Sequence, residues 1–181
     1  AGFVMHKTCR GLTLFELLVT MVVIAILTGV AVPNIGKMVA NGRIRTETDA
    51  LLHAVPRARK ESIMRRRVVS ICPSDDGLSC SAKSDWSNGW LMFDNLDRDE
   101  PPRLDAGEPV LRFQRVSESV RIIANRRGFT LRATEKRATN GTLVVCDRRN
   151  RVAARALVVS YTGRPRVALR QRNGDRYFCI D

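Results

Sequence analysis

Hydrophobic and polar positions follow three patterns along the chain, and the first is a long apolar run. Residues 17–36 read LLVTMVVIAILTGVAVPNIG and contain no charged side chain. A helix of about 20 residues crosses a hydrocarbon layer of about 30 Å, so we predict a transmembrane helix over residues 12–36. Lys7 and Arg10 precede the run, and the positive-inside rule therefore predicts a cytoplasmic N-terminus with the remaining chain outside.

The second pattern is an apolar stripe that recurs at near-helical spacing beyond Pro33. Such a stripe is typical of a helix that packs one face on a sheet. We therefore expect the helix to continue as an amphipathic segment over residues 37–67, with its end at about Arg66. The stripe consists of Ile35, Met38, Val39, Ile44, Leu51, Leu52, Val55 and Ile63.

The third pattern, after Arg67, is a series of short β-rich runs separated by turn signals such as Asn140-Gly141. A long helix followed by antiparallel strands predicts an α+β fold in which the helix covers one face of the sheet. We expect this β-rich domain to comprise residues 68–181. The predicted strands are Val68–Cys72, Gly89–Phe93, Val110–Phe113, Val120–Ala124, Phe129–Arg132, Thr142–Cys146, Ala156–Tyr161 and Val167–Gln171.

Charge is unevenly distributed over the 181 residues, whose formal net charge is +13. Residues 68–120 contain 5 Lys/Arg and 10 Asp/Glu, whereas residues 121–181 contain 15 Lys/Arg and 4 Asp/Glu. All but one of the cations in residues 121–181 are arginines. Basicity concentrated in one third of a chain favours an anionic partner, with a solvated basic face as the alternative.

Five cysteines are present, and Cys9 lies ahead of the apolar run. An even number beyond a membrane segment is typical of disulfides in an oxidising compartment. The short loop from Cys72 to Cys80 favours one local pairing, which leaves Cys146 with Cys179. Metal binding by the cysteines is the alternative. It is disfavoured because no CxxC motif occurs and because the sequence contains two histidines, of which His6 lies near Cys9 and ahead of the apolar run, and the other is His53.

The segment Gly11-Leu12-Thr13-Leu14-Phe15-Glu16 resembles the type IV prepilin motif. The resemblance implies a leader over residues 1–11. A prepilin peptidase then cleaves after Gly11 and methylates the new amino terminus at Leu12, a position where the prepilin motif more commonly has phenylalanine. The Glu16 carboxylate is expected to neutralise the amino terminus of a neighbouring pilin during assembly, which fits the high cost of a carboxylate in an apolar helix. Met5 is a candidate start residue.

Four further segments resemble the FimT/GspH group of minor pilins and pseudopilins, which implies a pilin-like fold. The cysteine pairs and the GRxR tetrapeptide at residues 163–166 resemble FimT-type minor pilins, which are associated with DNA uptake in natural transformation. GspH-type pseudopilins of type II secretion share the fold. The segments are ARKESIMRRRVVSICPSDDGLSC, WSNGW, LDAGEPVLR and SYTGRPR.

The GRPR tetrapeptide lies between two predicted strands, where its glycine and proline restrain a turn. The turn is expected to project Arg164 and Arg166 at a sheet edge. Arginine suits phosphate because its planar guanidinium donates two hydrogen bonds at once. The resemblance favours DNA contact through these residues, by sequence-independent binding of phosphate. A hairpin turn with solubilising arginines is the alternative.

Further arginines are candidates for the same patch. Strand alternation predicts one row of Arg166, Ala168 and Arg170, with the intervening side chains Val167 and Leu169 pointing inward. Three more cations extend the patch if a Cys146–Cys179 bridge draws them near, and these are Arg148, Arg149 and Arg151.

Acidic residues cluster between Asp94 and Glu108, where clustered oxygens are compatible with calcium. The segment lacks the glycine and the terminal glutamate spacing of an EF-hand, and Arg98 lies within it, so we favour a solvated hairpin loop. His6 and His53 do not assemble a catalytic triad. We therefore predict that the protein is not an enzyme and uses no cofactor.

The leading hypothesis is a minor type IV pilin that binds DNA, and the alternative is a structural pseudopilin of type II secretion without DNA binding. The expected partners are other pilins, prepilin peptidase, the phosphate backbone of DNA, and the bacterial inner membrane before assembly. The expected topology is a single pass with a periplasmic C-terminal domain, followed by incorporation into a pilus or pseudopilus. An unprocessed single-span membrane protein with a periplasmic adaptor domain is a third possibility.

Overall fold

The computed structural model describes residues 13–133 and 137–179, and its first element is one long helix. Helix α1 spans Leu14–Arg65 and so ends beside the predicted boundary. Thr13 caps its first turn, because the Glu16 amide donates to Thr13 Oγ1 at 3.3 Å. The helix stops where Arg66 adopts a left-handed φ of 53°.

The chain divides between Met38 and Val39 into two compact units. In the described part of the first unit, α1 carries an 18-residue window of mean hydropathy 2.5, none of which is buried. By length and composition, this helix is able to cross a membrane.

The described part of the second unit contains eight strands. They are β1 (Val68–Pro73), β2 (Gly89–Asn95), β3 (Val110–Arg115), β4 (Val120–Ala124), β5 (Phe129–Leu131), β6 (Gly141–Asp147), β7 (Arg155–Val159) and β8 (Pro165–Ala168). They form two four-stranded antiparallel sheets, in the orders β3-β2-β1-β5 and β4-β6-β7-β8. The predicted α+β, pilin-like fold is confirmed, although the strands form two sheets rather than one.

The hydrophobic core lies between α1 and both sheets. Ile44, Leu51 and Ala58 recur along the helix and are at most 2% exposed. They belong to one cluster with side chains from both sheets, such as Ile71 and Leu143. Fully burying one large apolar side chain contributes about 1.5–3 kcal/mol, so this helix stripe supplies much of the energy that holds the two sheets together.

Both predicted disulfides are present, Cys72–Cys80 and Cys146–Cys179. The first ties β1 to the loop that follows it. The second ties β6 to the C-terminal segment, where Cys179 Sγ lies 3.7 Å from the carbonyl oxygen of Val144.

The last strand differs from the prediction. We expected Val167–Gln171, whereas β8 is Pro165–Ala168. The predicted alternation is correct within β8, because Val167 lies beside the buried core residue Leu157, whereas Arg166 and Ala168 lie on the opposite face. Two exposures differ from the prediction. Leu169, beyond the strand, is 61% exposed, and Ala168 is only 8% exposed although it lies on the outer face.

The C-terminal segment accounts for the burial on the outer face. Val144, Ala156 and Ala168 lie side by side on adjacent strands and therefore share one face of the second sheet. Cys146 lies two residues beyond Val144 on the same face, and its disulfide brings Cys179 against that face. The C-terminal segment thus covers part of the face that was expected to be open, while Arg166 on the same face stays exposed.

Helix α1 also buries one carboxylate at its contact with the β3–β4 loop. Glu47 is 8% exposed, and its Oε1 accepts a hydrogen bond from the Ser117 amide at 3.0 Å. Burial raises the pKa of Glu47 above its usual range, although the hydrogen bond partly offsets this effect.

We predict that Glu47→Gln stabilises the protein at neutral pH. Because the pKa of Glu47 is higher in the folded state, ionising it costs stability as the pH rises from the unfolded pKa through the folded pKa. The variant removes that cost while keeping an acceptor for Ser117. Thermal unfolding in a neutral detergent between pH 4 and pH 8 is expected to show a Tm gain of a few degrees that is confined to the upper range.

The matched control is Asp49→Asn on the same helix, because the Asp49 side chain is 45% exposed. A gain that is equal for both variants, or independent of pH, contradicts the assigned role of Glu47.

Candidate functional site

The GRPR tetrapeptide begins in the loop between β7 and β8 and continues into β8, and Ser160 closes the loop. The Ser160 amide donates to the carbonyl of Arg164 at 3.1 Å, and the Ser160 carbonyl accepts from the Gly163 amide at 2.9 Å. The Ser160 hydroxyl additionally accepts from the Arg164 amide at 3.2 Å. Three hydrogen bonds to one residue therefore fix the backbone from which Arg164 projects.

Gly163 occupies a position that only glycine fits well. Its φ of +70° lies in the left-handed region, which other residues rarely adopt. A Cβ at this position would lie 2.9 Å from Nη1 of Arg59 and 3.2 Å from Cβ of Ala138. The glycine therefore allows the loop to pack closely against helix α1.

Arg59 of helix α1 anchors the loop from the other side. Its Nη1 donates to the carbonyl of Thr162 at 2.8 Å. Pro165 then begins β8, an edge strand in which the missing N–H of proline is tolerated. The turn that we expected to be restrained is thus held by its own hydrogen bonds and by the helix.

Arg164 and Arg166, the predicted phosphate ligands, are both exposed. Neither side chain has an acidic partner among residues 13–133 and 137–179. Arg164 immediately precedes β8 and Arg166 is the second residue of that strand, so their Cα atoms lie at most roughly 7 Å apart. Two guanidinium groups at this spacing can contact neighbouring phosphates of one polyanion.

Arg170 does not extend this pair, so the predicted row of Arg166, Ala168 and Arg170 is wrong. Strand β8 ends at Ala168, and Ala168 is buried. Arg170 belongs to the next turn, where its Nη1 donates to the carbonyl of Gly174 at 2.9 Å. The chain leaves the strand before a third position of the row is reached.

Arg148 and Arg149 lie at the opposite end of the second sheet. Gly141, at the start of β6, pairs with Val159 beside the GRPR loop, whereas both arginines follow the far end of β6. Six residue steps along a strand cover roughly 20 Å. The Cys146–Cys179 bridge does not bring them near the loop, so the predicted extension of the patch is wrong.

Arg151, which follows these two arginines, is engaged in an ion pair. Its Nη2 lies 2.7 Å from Oδ1 of Asp147, a carboxylate that is 2% exposed. Hydrogen bonds from Arg151 hold the pKa of Asp147 below its usual range. This arginine stabilises the turn after β6, and its Nε and Nη2 both donate to Asp147.

Two cations beside the loop were missed from the sequence, namely Arg59 and Lys60. A groove of about 930 Å³ lies between the GRPR loop and helix α1, and both residues line it together with Arg164. The excess of Lys/Arg in residues 37–67 was visible as composition. Nothing in the local pattern indicated that these two positions face the loop.

The acidic segment forms a hydrogen-bonded loop. Oxygens of Asp97, Asp99 and Asp105 lie within 4.8 Å of one another. The carboxylate of Asp99 accepts hydrogen bonds from the Arg103 amide and from the side-chain amide of Asn95. These carboxylates therefore serve to fix the local backbone.

The predicted processing site is only partly within the described residues. Gly11 and Leu12 lie outside them. Glu16 is exposed in the first turn of α1, where a negative charge is favourable because the helix dipole is positive at that end.

Two protein-family models match this chain. The family model described as type II transport protein GspH matches residues 47–163, and the model of the prokaryotic N-terminal methylation motif matches residues 6–32. The first match ends at Gly163, so it does not include Arg164 or Arg166. No relative was found among the curated proteins.

Solved structures share the fold. Two crystal structures of the type IV minor pilin FimU of Pseudomonas aeruginosa match with TM-scores of 0.50 and 0.51 at 20% and 19% identity. These matches cover 68% and 71% of this chain and 91% and 90% of FimU. The minor pseudopilin EpsH of the type 2 secretion system of Vibrio cholerae matches with a TM-score of 0.51 at 8% identity, over 70% of this chain and 96% of EpsH.

We predict that Gly163→Ala destabilises the second unit by about 1–2 kcal/mol, the usual cost of a left-handed conformation for a residue with a Cβ. Contact of the new methyl group with Arg59 adds to this cost. The control is Gly107→Ala, where φ is +91° but nothing lies within 4 Å of the added Cβ. Thermal unfolding of both variants isolates the contribution of packing. An equal loss in both contradicts close packing of the loop on α1.

Proposed function

We propose that this chain, which belongs to the GspH family and is a minor type IV pilin or pseudopilin, binds DNA without sequence specificity. The proposed purpose of this binding is DNA uptake in natural transformation. Arg164 and Arg166 are the proposed contacts. The observation that carries the proposal is their arrangement on a restrained loop, exposed and without acidic partners among the described residues. The protein is a binding and assembly component rather than an enzyme.

Phosphate is the part of DNA that such a site recognises. Guanidinium groups donate paired hydrogen bonds to phosphate oxygens, and the release of counterions from DNA supplies a favourable entropy. Binding of this kind depends on salt and not on base sequence. The excess of arginine in residues 121–181 adds long-range attraction for a polyanion.

The N-terminal segment supports a proposed sequence of processing and assembly. Prepilin peptidase cleaves after Gly11 and methylates Leu12, which the methylation motif over residues 6–32 includes. The chain then spans the inner membrane once through residues 12–36, with the second unit in the periplasm. During assembly, Glu16 neutralises the amino terminus of the neighbouring pilin.

A structural pseudopilin is the second candidate function. The family model is described as a type II transport protein, and the EpsH likeness at a TM-score of 0.51 supports the same fold for a secretion component. In that role the domain contributes to assembly of a pseudopilus and does not bind DNA. The arginines of the loop then serve solubility alone.

Arg164→Ala combined with Arg166→Ala is expected to weaken DNA binding by at least tenfold. Each lost phosphate contact also lowers the slope of log K against log salt by about 1. Fluorescence anisotropy with the full chain in neutral detergent micelles, over about 50–200 mM salt, measures both quantities. Neutral detergent adds no charge that competes for the DNA.

The charge-matched control is Arg148→Ala combined with Arg149→Ala, at the far end of the second sheet. This double variant removes the same net charge but is expected to leave affinity within about twofold, because its positions lie roughly 20 Å from the loop. Equal losses in both double variants indicate general electrostatics and contradict a site at the loop. Absence of binding by the unmodified chain at low salt favours the pseudopilin.

We also predict that the mature membrane form begins at Leu12 and carries one methyl group on its amino terminus. Mass spectrometry of the N-terminal peptide measures both changes. A chain that still begins upstream of Gly11 argues against processing.

The Glu16→Gln variant is expected to be processed normally but to enter filaments poorly, because it lacks the charge that pairs with an amino terminus.

A further inference from the structure

The groove between helix α1 and the GRPR loop has a composition that the phosphate contacts alone do not explain. We infer that it is a binding site for single-stranded DNA, with phosphates at its rim and bases on its floor. This inference rests on the proposed function of Arg164. It adds a preference between the single-stranded and duplex forms of the ligand.

The floor of the groove is apolar and open. It is formed by Leu52, Pro56, Ile63 and Met64, all on helix α1. Ile63 is 54% exposed and Met64 is 68% exposed. Leu52 also packs against the core of the second unit, whereas Ile63 and Met64 are largely exposed, and a flat, apolar ligand group placed on them gains hydrophobic burial. Methionine adapts easily to such a group because its side chain is flexible and polarisable.

The rim of the groove is cationic. Arg59 and Lys60 stand on the helix side, and Arg164 stands on the loop side. No carboxylate lines the groove within residues 13–133 and 137–179. The hydrogen bond from Arg59 to the Thr162 carbonyl holds the two sides together. An occupant of this groove therefore carries negative charge along its edge.

Single-stranded DNA matches both features at once. Its phosphates form a negative edge, and its unpaired bases offer exposed faces that the aliphatic floor can bury by the hydrophobic effect, without aromatic stacking. In a duplex the base faces are stacked inside, so the floor gains nothing from them, and only the rim contributes. The groove thus favours the single-stranded form beyond what Arg164 and Arg166 supply.

The floor is tested by Ile63→Gln combined with Met64→Gln, which leaves net charge unchanged. Both side chains are exposed, so the fold is expected to persist. We expect affinity for an oligothymidine of about 20 nucleotides to fall about tenfold, while affinity for a duplex of equal length changes less than twofold. The full chain in neutral detergent and fluorescence anisotropy are used for both ligands. The control is Leu78→Gln, an exposed leucine outside the groove that is 78% exposed.

Each outcome of these binding measurements either supports or overturns the inference that the groove binds single-stranded DNA. Oligothymidine binding that is unchanged, or a loss that is equal for the two ligands, overturns the inference. If Arg164→Ala with Arg166→Ala abolishes binding of both ligands while the floor variant has no effect, the proposed DNA function stands and this inference falls. If the unmodified chain binds neither ligand, both fail. Displacement of oligothymidine by polyglutamate at equal charge concentration indicates an acidic peptide as the occupant and also overturns it.

Discussion

The burial of one stripe of helix α1 against both sheets is the constraint on which the rest of the second unit depends. Ile44, Leu51 and Ala58 are at most 2% exposed and share a single cluster with side chains from the two sheets. Because Arg59 follows Ala58 directly, this packing also determines where its guanidinium meets the carbonyl of Thr162.

Most of the fold was predictable because its determinants are local. The spacing of apolar residues identified α1, and β-branched runs between turn signals identified the strands, with Val120–Ala124 matching β4 at both ends. The alternation of β8 was predicted correctly, but the burial of Ala168 on its outer face has a non-local cause. The Cys146–Cys179 bridge joins residues 33 positions apart and places the C-terminal segment on part of a sheet face that alternation alone leaves open. A two-residue period cannot report what another segment places on that face.

The candidate site was predictable only at its centre. The GRPR turn was recognisable because glycine and proline restrict backbone angles within four residues. Arg148 and Arg149 were assigned to the same patch on the strength of the disulfide, but the β6–β7 register places them at the other end of the sheet. Arg59 was missed because its contact with Thr162 spans 103 positions. Separation along the sequence thus accounts for the missed Arg59 and the misplaced Arg148 and Arg149, but not for the Cys146–Cys179 pairing, which was predicted across 33 positions.

The anchoring of the loop also determines how it carries force. Strand β8 is hydrogen-bonded along β7, Ser160 closes the turn, and Arg59 ties Thr162 to helix α1. A pull applied at Arg164 or Arg166 is therefore shared among hydrogen bonds of the sheet and a contact to the helix. A loop without these contacts would open locally at low cost and lose its ligand before the load reached the core. In the proposed role of retaining DNA, the restraint that orients the two guanidinium groups would also let them hold a load.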